Sequence, residues 1–224
     1  NPRITCHLQT EISKTSGFAG NFTSTLRKNN GEITEIEHGV IIVATGGQEY
    51  RGAEYGYGSH PRILTQSELE TLLAANVKLP TLSDPLKIEL ESIKQTIMIQ
   101  CVGPAEQYCA RTCCTTALKN ALLLKEQKPE CQVIVLYKDI RTYGFYERLY
   151  KAAREKGVIF LRYDDAHRPQ VHFTEEESLQ IKVTEPTFQK QLTFEPDLVV
   201  LSMPLVPSDG NRTLATTLKV PVDQ

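Results

Sequence analysis

The sequence predicts an α/β fold with a parallel β-sheet and an added antiparallel β layer. Three observations lead to this prediction. Two apolar runs, Gln132–Tyr137 and Asp197–Ser202, have the continuous character of strands that are buried on both faces. Between residues 97 and 162 strand and helix patterns alternate, an order typical of parallel strands joined by right-handed crossovers. Short segments between residues 171 and 194 have the length and composition of antiparallel strands.

The first part of the chain reads as β structure. Its predicted strands lie between glycine-containing turns, at Ile4–Ser13, Asn21–Arg27 and Ile33–Glu37. The apolar run Gly39–Ala44 predicts one more strand, buried on both faces. Residues 48–94 are irregular, although Thr65–Glu68 predicts a cap for a short helix at Glu68–Ala75.

Residues 95–205 contain the alternating strands and helices. Parallel strands are predicted at Ile97–Val102, Gln132–Tyr137, Val158–Arg162 and Asp197–Ser202, helices at Thr115–Lys128 and Gly144–Lys156, and antiparallel strands at Val171–Phe173, Leu179–Val183 and Gln189–Phe194. We therefore expect three parts: a β region with a linker (1–94), a sheet domain (95–205) and a segment that returns to the first region (206–224).

Composition excludes several classes of function. The chain has 224 residues, 40% hydrophobic and 23% charged, and a net charge of -2. These values are typical of an ordinary globular protein and give no reason to expect binding to nucleic acid. No apolar run approaches the ~20 residues that span a bilayer. Because the chain begins on Asn1 within a strand-like pattern, we expect it to be an excised fragment.

Four cysteines lie between a predicted strand and a predicted helix: Cys101, Cys109, Cys113 and Cys114. If the helix begins near Cys109, then Cys109 and Cys113 lie one turn apart, with Cβ atoms ~5–6 Å from each other. Thiolates select iron–sulfur clusters, zinc or copper(I), and a set of four cysteines suits a [4Fe–4S] cluster. The helix N-terminus adds partial positive charge that favours deprotonated sulfur.

Other interpretations of these cysteines stay open at this point. They can be inert core thiols, or they can bind structural zinc, although the paired two-residue spacings typical of zinc sites are absent. A disulfide framework is disfavoured because adjacent Cys113 and Cys114 are poorly placed to bridge. We interpret Cys6 and Cys131 as ordinary core or strand residues.

The chain resembles the HdrA family of heterodisulfide reductase subunits, which are flavin and iron–sulfur proteins with a thioredoxin-reductase-like plan. The resemblance is carried by Ser16–Phe18, Gly20–Phe22, Ile99–Gly103, Tyr108–Cys109, Cys113–Cys114, Ala117, Lys119, Ala121–Lys125, Tyr137–Arg141, Gly144, Tyr146, Ala153–Val158 and Pro196–Ser202. It implies a [4Fe–4S] cluster with Cys101, Cys109, Cys113 and Cys114 as ligands, and FAD in the complete parent protein.

The same resemblance implies a degenerate, Rossmann-like NAD domain next to part of an FAD domain. A dinucleotide site needs a Gly-x-Gly-x-x-Gly turn between strand and helix, where the cysteines stand here; only Gly103 remains, and Pro104 lacks an amide donor. We therefore expect no NAD(P) binding, and we interpret Asp139 as a solvated carboxylate at a strand end.

The segment Ala44, Thr45, Gly46 and Gly47 resembles an Ala-Thr-Gly motif that passes close to FAD in two-domain flavoproteins. Since the other FAD motifs are absent, we expect this chain alone to bind FAD poorly.

The expected function is electron transfer between the flavin of the parent oxidoreductase and the cluster, with no catalytic side chain in this chain. Arg111 and Thr112 are candidate hydrogen-bond donors to the sulfurs. Expected partners are other heterodisulfide-reductase-like subunits and a ferredoxin or similar carrier, either free in the cytoplasm or held at a membrane by partner subunits. The alternative is a non-catalytic interaction module that binds zinc or no metal.

Overall fold

The computed structural model describes residues 1–74, 90–109, 111–173 and 178–222. The chain forms two compact units. One contains Asn1–Gln48 together with the residues from Pro207 onward, and the other is Glu49–Val206. This division differs from the predicted boundary between residues 94 and 95, because a strand and a helix from the supposed linker belong to the larger unit.

The strands of the described residues are, in chain order, β1 (Thr10–Phe18), β2 (Asn21–Lys28), β3 (Ile33–His38), β4 (Gly47–Glu49), β5 (Ile63–Thr65), β6 (Gln95–Ile99), β7 (Gln132–Tyr137), β8 (Ile159–Arg162), β9 (Gln170–Phe173), β10 (Leu179–Glu185), β11 (Lys190–Phe194), β12 (Leu198–Leu201) and β13 (Leu205–Pro207). The α-helices are α1 (Gln66–Ala74), α2 (Thr112–Gln127), α3 (Glu147–Glu155) and α4 (Asn211–Leu218). Short 3₁₀ turns lie at Glu54–Gly56, Leu90–Ser92 and Gly144–Tyr146.

The first unit is built on an antiparallel meander in the order β1–β2–β3. The turn between β1 and β2 is tight, with Phe18 opposite Asn21. Gly17 has a φ of 94°, and a Cβ there would lie 2.1 Å from the carbonyl oxygen of Asn21. Glycine is therefore required where the turn begins.

The prediction of a buried strand at Gly39–Ala44 is wrong for this chain. These residues form no strand, and the side chains of Val40, Ile42 and Val43 are 71%, 85% and 53% exposed. A strand buried on both faces needs neighbours to pair with and layers to cover it. None of the described strands pairs with this segment, so its apolar side chains stay open to solvent.

The larger unit confirms the predicted fold class. Its parallel sheet has the order β5–β12–β6–β7–β8, with α2 joining β6 to β7 and α3 following β7. An antiparallel meander, β11–β10–β9, forms the added layer. Successive side chains of a strand point to opposite faces. Met98 accordingly packs with the helices, whereas Ile97 and Ile99 pack with β10.

The predicted helix cap is present. The Glu68 backbone N–H donates to Thr65 Oγ1 at 3.3 Å, and the Thr65 N–H donates to Glu68 Oε2 at 2.8 Å. This reciprocal pair is a capping box, and α1 begins directly after Thr65. Within the described residues, no helix is both long enough and apolar enough to cross a membrane.

Candidate functional site

A cavity of about 290 Å³ opens beside the ends of β6 and β7 in the larger unit. All four cysteines of the predicted cluster line it, together with Ala105, Glu106, Lys138, Asp139 and Arg141. The structure therefore brings together thiols that the sequence spreads over 14 positions, from 101 to 114. The cavity lies outside the carboxyl ends of the parallel strands β6 and β7, the edge at which ligands usually bind in such sheets.

Two breaks in regular backbone place the thiols. Cys101 lies two residues after the end of β6 and has a φ of 58°, a left-handed conformation that non-glycine residues rarely adopt. Arg111, just before α2, also has a positive φ, 65°. Helix α2 then starts at Thr112, so that Cys113 and Cys114 lie in its first turn.

The condition for a one-turn spacing of Cys109 and Cys113 is not met, because α2 begins at Thr112. Cys109 lies before the helix, because the left-handed conformation at Arg111 prevents the helix from extending upstream. Cys109 thus reaches the cavity from the loop and not from the helix face. The convergence of the four thiols depends on this loop as much as on α2.

N–H groups that can donate hydrogen bonds face the sulfur atoms of three of the four cysteines. The Arg141 guanidinium donates to Cys109 Sγ, with Nη1 3.7 Å away. The backbone N–H of Arg141 donates to Cys114, and that of Lys138 donates to Cys101. Both donor residues follow β7, the neighbour of β6. The loop after β7 therefore supplies the polar wall of the cavity.

The thiols influence one another's ionisation. Cys113 donates a hydrogen bond to Cys114, which lowers the pKa of Cys114 to about 7 and raises that of Cys113. Burial raises the pKa of Cys101, and the nearby Cys114 adds to this effect. Within the adjacent pair, Cys114 is thus the thiol that deprotonates first.

Charged side chains surround the cavity mouth. Lys138 Nζ lies 2.5 Å from Glu106 and 2.6 Å from Asp165. Arg141 pairs with Asp139 at 3.0 Å. The Asp139 carboxylate is 63% exposed and faces this arginine.

The sequence did not identify Lys138 and Arg141 as sulfur neighbours. It suggested Arg111 and Thr112, yet the Arg111 guanidinium lies 5.3 Å from the centre of the Tyr143 ring. The position of Lys138 and Arg141 shortly after a predicted parallel strand is the signal that could have identified them as donors. Because neighbouring parallel strands end at the same edge of a sheet, residues after Tyr137 are expected beside residues after Ile99.

The loop after Cys101 is packed too closely for a side chain at Gly103. This glycine has a φ of 59°, and a Cβ would lie 2.6 Å from Cε1 of Tyr50. The Tyr50 hydroxyl donates to Glu54 Oε1 at 2.9 Å, so both side chains are fixed over the loop. The glycine- and tyrosine-rich segment therefore covers the cysteine loop.

The remaining predicted site residues lie elsewhere. Ala44, Thr45 and Gly46 belong to an exposed segment without regular structure, and Gly47 begins β4. Among the residues that the structure describes, no three His, Cys, Asp or Glu side chains are grouped closely enough to hold a metal ion. The four thiols thus share a cavity but do not surround one point.

The fold is found in a solved flavoprotein. The FAD-bound cadaverine monooxygenase of desferrioxamine biosynthesis from Erwinia amylovora superimposes with a TM-score of 0.54 and 9% identity, covering 96% of this chain and 56% of that chain. At this identity the likeness shows the fold alone. It supports a Rossmann-like α/β fold for this chain.

Two curated relatives of this chain are both A subunits of CoB-CoM heterodisulfide reductases. The HdrA protein of the ferredoxin:CoB-CoM heterodisulfide reductase of Methanosarcina acetivorans is 34% identical over 229 aligned positions, covering 86% of this chain and 28% of the relative. The HdrA protein of the H₂:CoB-CoM heterodisulfide,ferredoxin reductase of Methanothermobacter marburgensis is 38% identical over 203 positions, covering 84% and 29%. The chain belongs to the HdrA family of heterodisulfide reductase subunits. It spans less than a third of the length of these relatives, and no family model matches it.

Proposed function

We propose that this chain is an electron-transfer part of a heterodisulfide reductase-like oxidoreductase and holds a [4Fe–4S] cluster on Cys101, Cys109, Cys113 and Cys114. The observation that carries the proposal is the shared cavity of these four thiols at the carboxyl edge of the parallel sheet. Electrons would pass between this cluster and FAD held by the complete protein.

The donor set fits a cluster. Four thiols match the ligand count of a [4Fe–4S] centre, whereas the carboxylates that line the same cavity are paired with cations. N–H groups directed at Cys101, Cys109 and Cys114 are the kind of donor that tunes the potential of such a centre. When bound, the cluster would supply one-electron transfer, which the side chains of the chain cannot provide.

The size of the cavity argues for a polynuclear group over zinc. Structural zinc needs four ligands around one point, within ~2.3 Å of the metal for sulfur. A cluster places its ligands farther apart because each thiolate binds a different iron atom. The cavity of about 290 Å³ leaves room for that arrangement.

The protein's own residues would control charge at the site. Arg141 and the backbone N–H groups after β7 stabilise negative charge on the sulfurs. The low pKa of Cys114 favours the thiolate form that metal binding requires. Gly103 and Pro104 replace the amide-rich turn of a dinucleotide site, so we propose that the chain binds no NAD(P).

Our proposals about FAD binding and about partner proteins concern the complete protein. We propose that Ala44, Thr45, Gly46 and Gly47 lie beside FAD there, and that the exposed run Val40–Val43 becomes covered. The names of the two relatives include ferredoxin, and both relatives are named as one component of a larger reductase. We accordingly propose association with further heterodisulfide-reductase-like subunits and with a ferredoxin or similar carrier.

The colour and metal content of the protein test this proposal. Anaerobically purified or reconstituted protein should be brown, should bleach with dithionite, and should contain iron and acid-labile sulfide. A colourless protein with about one zinc per chain would contradict the proposal and would favour an interaction module.

A further inference from the structure

A buried tyrosine is tied to the residue that precedes Cys101. Tyr163 follows β8 and is 1% exposed. Its hydroxyl donates to the backbone carbonyl oxygen of Gln100 at 2.5 Å. Gln100 is fully buried, so this carbonyl has no access to water. The phenol therefore satisfies an acceptor that would otherwise be costly to bury.

This hydrogen bond belongs to a small hydrogen-bond network that joins the ends of three strands. The Tyr163 N–H donates to the Tyr137 carbonyl at 2.9 Å, and the Gln100 N–H donates to the Leu136 carbonyl at 2.9 Å. Tyr163 directly follows β8, Tyr137 is the last residue of β7, and Gln100 directly follows β6. The position of the phenol is thus fixed by the sheet and not by a flexible loop.

The carbonyl of Gln100 lies in the same peptide group as the nitrogen of Cys101. Fixing that plane restricts rotation at Cys101, whose φ is 58°. A non-glycine residue rarely adopts this left-handed conformation, and its surroundings must hold it there. Tyr163 supplies such a constraint from outside the cysteine loop.

We propose that Tyr163 is a positioning residue: its hydrogen bond to Gln100 keeps Cys101 left-handed, with the thiol directed into the cavity. This inference deepens the proposed function, on which it rests for the identity of the metal group. Its first test needs no metal, so the two can fail separately.

The first test measures thiol alkylation in the metal-free intact protein. In Tyr163→Phe the ring still fills its site, but the carbonyl loses its donor, so that Cys101 relaxes out of the cavity. We expect alkylation of Cys101, followed by peptide mass spectrometry, to become about tenfold faster, while that of Cys113 changes little. The control is Tyr57→Phe, which removes a phenol that donates to Glu68 and should leave Cys101 unchanged. Equal rates at Cys101 in Tyr163→Phe and the parent would overturn the proposal.

A second measurement guards against a variant that does not fold. Replacing Tyr163 with difluorotyrosine keeps the hydroxyl and makes it a stronger donor, so alkylation of Cys101 should slow; an unchanged or faster rate contradicts the proposal. In the metal-loaded protein, Tyr163→Phe should alter the EPR spectrum of the cluster, and Tyr57→Phe should not. If the parent protein binds no iron at these cysteines, the proposed function fails, and the alkylation rates still decide the role of Tyr163.

Discussion

At the scale of single residues, the charge beside the sulfurs is the feature most open to test. Arg141 contacts Cys109 and pairs with Asp139, and its side chain is 49% exposed. Arg141→Gln removes a positive charge that favours the reduced, more negative cluster. We expect the midpoint potential to fall by tens of millivolts, where about 59 mV corresponds to a tenfold change for one electron.

The matched control for this variant is Arg148→Gln, which removes an exposed cation from α3. EPR-monitored redox titration should detect little shift for it, because exposed charges are screened by salt. Equal shifts for both variants, or a higher potential in Arg141→Gln, would show that Arg141 does not tune the site.

Gly103 provides a residue-scale test of how the cysteine loop is packed. In Gly103→Ala the new Cβ would have a positive φ and would collide with the Tyr50 ring. We expect a loss of about 2–5 kcal/mol in the free energy of unfolding, from backbone strain and overpacking together. Gly58 also has a positive φ, 79°, but open space around it, so Gly58→Ala should cost about 1–2 kcal/mol. Urea unfolding measures both losses, and similar values would contradict the close packing at Gly103.

The sequence predicted the cysteines of the site but not their surroundings. Their spacing and residue type are local signals, and they suffice to select four candidate thiols. The donors Lys138 and Arg141 reach the thiols through the pairing of β6 with β7, which is not local. The same reason explains why the role of Tyr163, which bonds across two strands to Gln100, left no sequence pattern.

At the scale of elements, the capping box of α1 makes stability depend on pH. Burial raises the pKa of Glu68, but hydrogen bonds from the Thr65 N–H and the Tyr57 hydroxyl, with Arg51, outweigh it and hold the pKa below 4.5. A carboxyl with a lowered pKa stabilises the fold above its unfolded pKa, and the stabilisation is lost as pH falls through its folded pKa. The loss therefore occurs below about pH 4.5.

Glu68→Gln should flatten this part of the stability profile. Urea unfolding at several values between about pH 3 and pH 7 should show a smaller loss of stability on acidification in Glu68→Gln than in the parent. Glu70→Gln, on the same helix and in an exposed pair with Lys119, serves as the control. An unchanged slope in Glu68→Gln would mean that Glu68 does not contribute to acid sensitivity.

Elements with strong local patterns were predicted well, and those that depend on neighbours were not. Strand β7 has its predicted bounds, and α2 has its apolar stripe, because a buried run and a 3.6-residue period are visible without the fold. The run Gly39–Ala44 has the pattern of a buried strand but no partner among the described strands. Helix α4, rich in threonine, offered no such pattern and was not predicted.

At the scale of the whole molecule, the two compact units differ in how many segments of the chain form them. Glu49–Val206 is continuous, whereas the other unit combines both ends of the chain. The continuous unit contains the parallel sheet, the helices that cover it and the cysteine cavity. We expect residues 49–206 expressed alone to unfold in one cooperative transition, because a unit with its own core can fold independently.

Circular dichroism during urea unfolding checks this expectation. Residues 1–48 expressed alone are the comparison, and they should show no cooperative transition, since the segment lacks the part of its unit that lies after Val206. A gradual, non-cooperative transition for residues 49–206 would show that this unit depends on the rest of the chain.

The most direct measurement is iron and sulfide content, determined in the same preparation for the intact protein and its cysteine variants. We predict that the double variant Cys113→Ser, Cys114→Ser loses about four irons and four sulfides relative to the parent. The variant Cys6→Ser, which changes an exposed cysteine outside the cavity, should lose none. An unchanged iron content in the double variant would contradict the claim that these cysteines hold a cluster.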